Sequence, residues 1–236
     1  MVDAAGQQEI VRRNDAVLAE RPGDDAAHEA RSRAFLALGR LEEAESDAMD
    51  AVRLDPEEVR YRELLAEIQS RRGEHADAAA EYARLARRDP RQVAWTVGEA
   101  SERIEAADAE KGVDAARRAV RLDPSSFDAQ LALARGLIRT GDPGALTAAR
   151  RASDLRPDDH AAREAMADAL WLAERHAAAF DELRGLATEL SGHDRSRVLA
   201  KARALYRERA GWLGRWLASV EAIFEFALRR GWLRVE

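Results

Sequence analysis

The six residues AVRLDP stand at Ala51–Pro56 and return unchanged at Ala119–Pro124, 68 residues later. Midway between them is ARRDP, whose Pro90 lies 34 residues from both Pro56 and Pro124. Pro22 falls 34 residues before Pro56, and Pro157 falls 33 after Pro124. Gly39, Gly73 and Gly141 keep the same beat, as do Ala51, Leu85, Ala119, Ala152 and Leu186. A chain with such a period is an array of like units, each burying its apolar face against its neighbours.

Each unit reads as two helices. Apolar residues recur at helical spacing between each proline and the next glycine, and again from that glycine to the following proline; ELLAEIQSRRG and ADAAAEYARLARRDP show the pair. The glycine suits a left-handed residue at a helix end. In the repeated word, Asp55 is expected to cap the next helix, Pro56 to take its first position and Glu58 to close a capping box.

A 34-residue helical pair with a mid-unit glycine and a terminal proline resembles the tetratricopeptide repeat. The resemblance covers Gly23–Ser191, or five repeats, after an unpaired helix near Gln7–Glu20. It implies an all-α, right-handed α-solenoid of about five helix-turn-helix repeats plus terminal helices. The organisation expected is an N-terminal helix over 1–22, repeats over 23–193 and an aromatic-rich helical extension over 194–236. Three departures stand out. Ala107 replaces the third turn glycine and Gly112 a usual alanine, which predicts a shifted or lengthened hairpin. GDPG at Gly141–Gly144 predicts a late start for the helix that follows. Glu174 and Ser191 replace the fifth glycine and the closing proline, and the beat is expected to stop after His193.

Reactive constellations are lacking in the sequence. There is no cysteine, hence no disulfide or thiolate site. His28, His75, His160, His176 and His193 show no metal-ligand spacing, and His75 and His176 share an exposed repeat position in this reading. SGHDRS at Ser191–Ser196 sets Ser, His and Asp side by side, which reads as a loop with a cap at Asp194 rather than a triad. No phosphate loop or dinucleotide fingerprint occurs. The expectation is a non-enzyme with no cofactor, no metal and no catalytic residue. MVDAAGQQEI carries no secretory pattern, and no run approaches the ~18 apolar residues of a membrane span, so a cytoplasmic protein is expected.

Binding is the function class left. In the resembling family the first helix of each repeat lines a concave groove. Carried onto this chain, the lining is Glu29, Arg33 and Leu36; Arg60, Glu63, Glu67 and Arg71; Val97, Ser101 and Ile104; Asp128, Leu131, Arg135 and Arg139; and Glu164, Asp168 and Trp171. The lysine–asparagine clamp of chaperone-binding members is absent, Glu29, Arg33 and Glu67 standing there instead. Mixed charge points to a polar peptide or protein partner. Over Asp194–Glu236 the chain turns basic and aromatic, with Trp212, Trp216, Ile223 and Phe224 on one helical stripe, Phe226 off it, and Trp232 near the end. Three fates compete for it: burial on the last repeats, docking on a second copy or another protein, and a membrane interface anchored by Trp232 with Arg229 and Arg230. The arginine–aromatic mixture also raises nucleic acid, which the overall charge of −6 argues against. The reading is an adaptor or assembly scaffold; the alternative is a membrane-associated assembly factor whose C-terminal helix docks on lipid or a membrane protein.

Overall fold

The computed structural model describes residues 4–209, with side chains through 205. The described residues form twelve helices and no strand: α1 Ala4–Glu20, α2 Asp25–Ala37, α3 Leu41–Leu54, α4 Val59–Arg72, α5 His75–Arg88, α6 Val93–Glu105, α7 Ala109–Leu122, α8 Phe127–Thr140, α9 Ala145–Leu155, α10 His160–Leu172, α11 His176–Glu189 and α12 Gly192–Arg209. From α2 onward they pair as five hairpins, in the all-helical architecture expected.

One turn is used five times. Gly39, Gly73 and Gly141 have φ of 75°, 79° and 70°, and Ala107 and Glu174 hold the same left-handed conformation at 61° and 58°. The next residue then donates its N–H to the carbonyl five back: Arg40 to Phe35, Glu74 to Gln69, Asp108 to Arg103, Asp142 to Leu137 and Arg175 to Leu170, all at 2.8–2.9 Å. This is the Schellman closure that satisfies a helix's last carbonyls. The third hairpin is therefore neither shifted nor lengthened, contrary to expectation. A side chain in this conformation costs roughly 1 kcal/mol, partly offset by glycine's freer unfolded chain. Ala107→Gly is expected to stabilise by about 0.5 kcal/mol, measured by urea denaturation; a loss of stability would contradict the turn assignment.

The DP word works differently from the expected cap. Asp55, Asp89 and Asp123 each accept the N–H two residues on, at 3.0, 3.0 and 2.9 Å, and so fold the link between hairpins. The N-caps come two residues after the prolines: Asp24, Glu58, Gln92, Ser126 and Asp159. Of these, Asp24, Glu58, Ser126 and Asp159 accept a backbone N–H on their side chains. The late start after GDPG is observed: α9 has 11 residues, against 14 in α7.

The recurrent small positions form the seam between paired helices. Ala44, Ala48, Ala51, Ala78, Ala119, Ala152 and Ala179 are all fully buried. Gly112 belongs to the same set, and its departure from alanine has a cause: a Cβ there would stand 2.6 Å from Ile104 Cγ1 and 3.1 Å from the Ala100 carbonyl oxygen. In α6, Gly98 gives its space to the Tyr82 ring, which a Cβ would meet at 2.8 Å. The equivalent residues are Leu64 facing Ala48 one repeat earlier and Ala132 facing Ala116 one repeat later.

Packing divides the chain into two compact units, Met1–Pro157 and Asp158–Glu236. In the first, Val11 of α1 joins Phe35, Leu36, Leu64 and Ile68 in one apolar cluster. In the second, Leu183 and Leu186 of α11 are buried with Val198 and Ala202 of α12. Val198 and Ala202 stand 33 residues after Ala165 and Ala169, which are buried in α10. The beat thus runs one helix past the expected stop, with α12 as the first helix of a further repeat. Asp194 lies inside its first turn instead of capping it.

Candidate functional site: the exposed face of the first helices

Residues one and two helical turns apart share a face, so the lining set of each first helix is fixed by its register. On α2, Arg33 is paired with Glu29; on α4, Arg71 holds Glu67 at 2.8 Å, and Arg60 reaches Glu58 at 3.2 Å. The two i,i+4 pairs run Glu before Arg, the favourable order. Such exposed pairs contribute a few tenths of a kcal/mol each. Glu63 accepts from the indole N–H of Trp95, 32 residues on, at 2.6 Å. Trp95 was missing from the expected lining. Its signal was Tyr61, the residue 34 earlier, whose hydroxyl likewise reaches back one repeat to Asp25 at 2.7 Å. Burial and that carboxylate push the Tyr61 phenol up to about 12.

Between α4 and α6 the face is acidic. The Tyr82 phenol is pushed up by burial and by the nearby charges of Glu102, Glu67 and Glu63. On α8 the pattern reverses, with exposed Arg135 and Arg139 after exposed Asp128. Leu36, Ile104 and Leu131 are 8%, 3% and 8% exposed, so these three expected lining residues serve the core instead. Val97 and Ser101 are half-buried.

In the second unit the expected lining is already engaged. Arg197 of α12 grips both oxygens of Glu164, at 2.6 and 2.9 Å, and Lys201 holds Asp168 at 2.7 Å. Two of the tail's basic groups are therefore committed within the fold. Trp171 is half-buried, its ring 4.2 Å from that of His176. Trp212, Trp216, Ile223, Phe224, Phe226 and Trp232 lie outside the described residues.

A second recurrent polar position sits inside the hairpins, and sequence reading missed it. His28, Arg62, Thr96, Gln130 and Arg163 are equivalent. In three repeats the residue meets an acid on the paired helix: His28 with Asp47 at 2.9 Å, Arg62 with Glu81 at 2.8 Å and Arg163 with Glu182 at 2.8 Å. Arg31 adds bonds of 2.7 Å to both oxygens of Asp47. His28 Nε2 faces the Pro22 carbonyl at 3.2 Å, and Gln130 Nε2 donates to the equivalent Pro124 carbonyl at 3.1 Å. Thr96 is too short for this, and a pocket of about 240 Å³ remains there, edged by Pro90, Arg118, Arg121 and Leu122. The available signal was a polar residue every 33 or 34 positions amid buried neighbours.

His28, Asp47 and Asp50 bring donor atoms within 4.8 Å of one another. Both Asp47 oxygens already serve Arg31, and Asp50 is paired with Arg53 at 2.9 Å. The group is an ion-paired cluster in which His28 faces Asp47 and the Pro22 carbonyl and each carboxylate is held by a guanidinium. His75 and His176 are half-buried rather than exposed, His75 bonding Glu102 at 2.8 Å. His193 and Asp194 are exposed neighbours in the first turn of α12, and adjacent helical residues point apart. No described helix is long and apolar enough to cross a membrane.

The family pattern named Tetratricopeptide repeat matches residues 11–52 and 50–93. No curated protein matches the sequence significantly. Among solved structures, a tetratricopeptide repeat protein from Parabacteroides merdae is similar at 15% identity and a TM-score of 0.71, over 88% of this chain and 90% of that one. YrrB, described as a TPR protein with an unusual peptide-binding site, is similar at 14% identity and a TM-score of 0.58, over 80% of this chain and 97% of that one. TTC0263, a thermophilic TPR protein in Thermus thermophilus, is similar at 16% identity and a TM-score of 0.60, over 77% of this chain and 98% of that one. At these identities the likeness carries the fold.

Proposed function

The chain belongs to the tetratricopeptide-repeat proteins, and on that premise we propose that it is a non-catalytic scaffold whose first-helix face holds a peptide or protein partner. The observation that carries this reading is a contrast between two sets of positions. Seam residues recur as alanine or another small or aliphatic residue, whereas one first-helix position that stays exposed or half-buried changes chemistry at every repeat, through Arg33, Glu67, Ser101, Arg135 and Asp168. A surface for packing alone needs no such individuality; a surface that reads a partner does. Trp95 adds an amphipathic ring of the kind enriched at binding hot spots. YrrB's peptide-binding site lends support by analogy of fold.

The C-terminal extension supplies a second contact surface in this proposal, through Trp212, Trp216, Ile223, Phe224 and Phe226, with another copy or a protein partner as occupant. The test is capture of partners from cell extract by the full chain, by Trp95→Ala with Glu67→Lys, and by Phe226→Glu. A partner lost specifically with the first pair of changes supports the first-helix face. A partner retained by that variant and lost with Phe226→Glu moves the function to the extension.

A further inference from the structure

We propose that Arg135 and Arg139 of α8 anchor an acidic, extended segment of the bound partner, with carboxylates at alternate positions. This rests on the first-helix face being the binding surface. Arginines on that face are otherwise neutralised within the first unit: Arg33 by Glu29, Arg60 by Glu58 and Arg71 by Glu67. Arg135 and Arg139 break the rule. Both are exposed, and no carboxylate among the described residues lies within 4.0 Å of either guanidinium. One repeat earlier the equivalent residues are Ser101, which is neutral, and Glu105, which makes no ion pair with Arg139. Asp128 is two turns before Arg135 on the same helix. Arg139 complements the α8 dipole at the last turn, but Arg135 is a turn too early for that to explain it.

The chemistry selects the ligand. Two unpaired guanidiniums repel each other mildly, and each offers a planar fork that fits a carboxylate. Side chains four apart on a helix are about 5–6 Å apart at Cβ. In an extended strand, residues two apart face the same way at about 6.5 Å. A Glu-x-Glu segment laid along α8 therefore brings one carboxylate to each arginine. Discrimination comes partly from the setting: the carboxylates on α4 and α6 leave no unpaired cation there to compete, since Glu67 holds Arg71 and Glu102 bonds His75 and Ser70.

The test is fluorescence anisotropy on the full chain with three labelled probes of alternating sequence: Glu-Ala, Gln-Ala and Lys-Ala. Glu-Ala is expected to bind best and to weaken with salt. The double change Arg135→Glu with Arg139→Glu is expected to weaken it about tenfold or more. Arg33→Glu with Arg71→Glu, which alters the paired arginines, is expected to change it by less than about threefold. Circular dichroism confirms that each variant stays folded. Equal binding of Glu-Ala by wild type and the Arg135/Arg139 variant, or no binding of Glu-Ala, overturns the proposal. If Gln-Ala or Lys-Ala binds instead and Trp95→Ala abolishes it, the acidic anchor is wrong while the first-helix face stands as the binding surface.

Discussion

Asp47→Asn should destabilise the first unit by about 3–5 kcal/mol, since one carboxylate, 3% exposed, answers both Arg31 and His28. The amide keeps the shape and loses the charge, and its NH2 group turns a donor toward the guanidinium. Arg31 retains only Asp15, whose side chain is half in solvent, at 2.6 Å. The effect is far above that of breaking an exposed pair such as Arg40 with Glu43. Urea denaturation followed by circular dichroism measures it. A shift below 1 kcal/mol would mean that water, not Asp47, satisfies these cations.

Val198→Asp should release α12. Val198 is fully buried among Leu183, Leu186 and Ala202, and a carboxylate there has no partner. Burying it would cost on the order of 3 kcal/mol or more, so the helix leaves its seat when docking is worth less than that. Hydrogen exchange should speed up along α12, and the second unit should melt earlier. Unchanged protection of α12 would show that its apolar face does not hold it.

Much of this architecture is legible because a repeat writes its constraints several times. Prolines and glycines at a fixed interval locate the turns, and alanines at that interval locate the seam. Where a single residue departs from the pattern, legibility fails in a particular way. Ala107 suggested a disturbed hairpin, yet the five-back bond from Asp108 to Arg103 and the packing on both sides impose the common turn on an unfavourable residue. Asp55 resembles a helix cap, but the proline after it delays the helix, and the cap passes to Glu58. α12 reads as a helix, but its place in the repeat was not legible because no proline precedes it at the expected interval; only Val198 and Ala202 keep the phase. The candidate surface was legible only in part: register decides which residues share a face, but Leu36, Ile104 and Leu131 turn into the core. Its pairing was not legible, because Arg197 with Glu164 and Trp95 with Glu63 are choices made across neighbouring helices by long side chains. Neither was the inner slot, where His28 and Arg62 look like surface residues until the paired helix supplies Asp47 and Glu81.

The exchange of bulk between Tyr82 and Gly98 bears on how such a chain can change over generations. The ring occupies the volume that a side chain at position 98 would need, so what one site can accept depends on the other. A lineage that first gains a Cβ at 98 inherits a collision, whereas one that first loses the ring inherits a hole, which a later side chain can fill. The second order is the passable one where a cavity is tolerated better than a clash with the inner edge of a packed aromatic ring. Two codons 16 positions apart are thus tied into a single heritable trait with a preferred direction of travel, although the repeat around them was copied in units of 34.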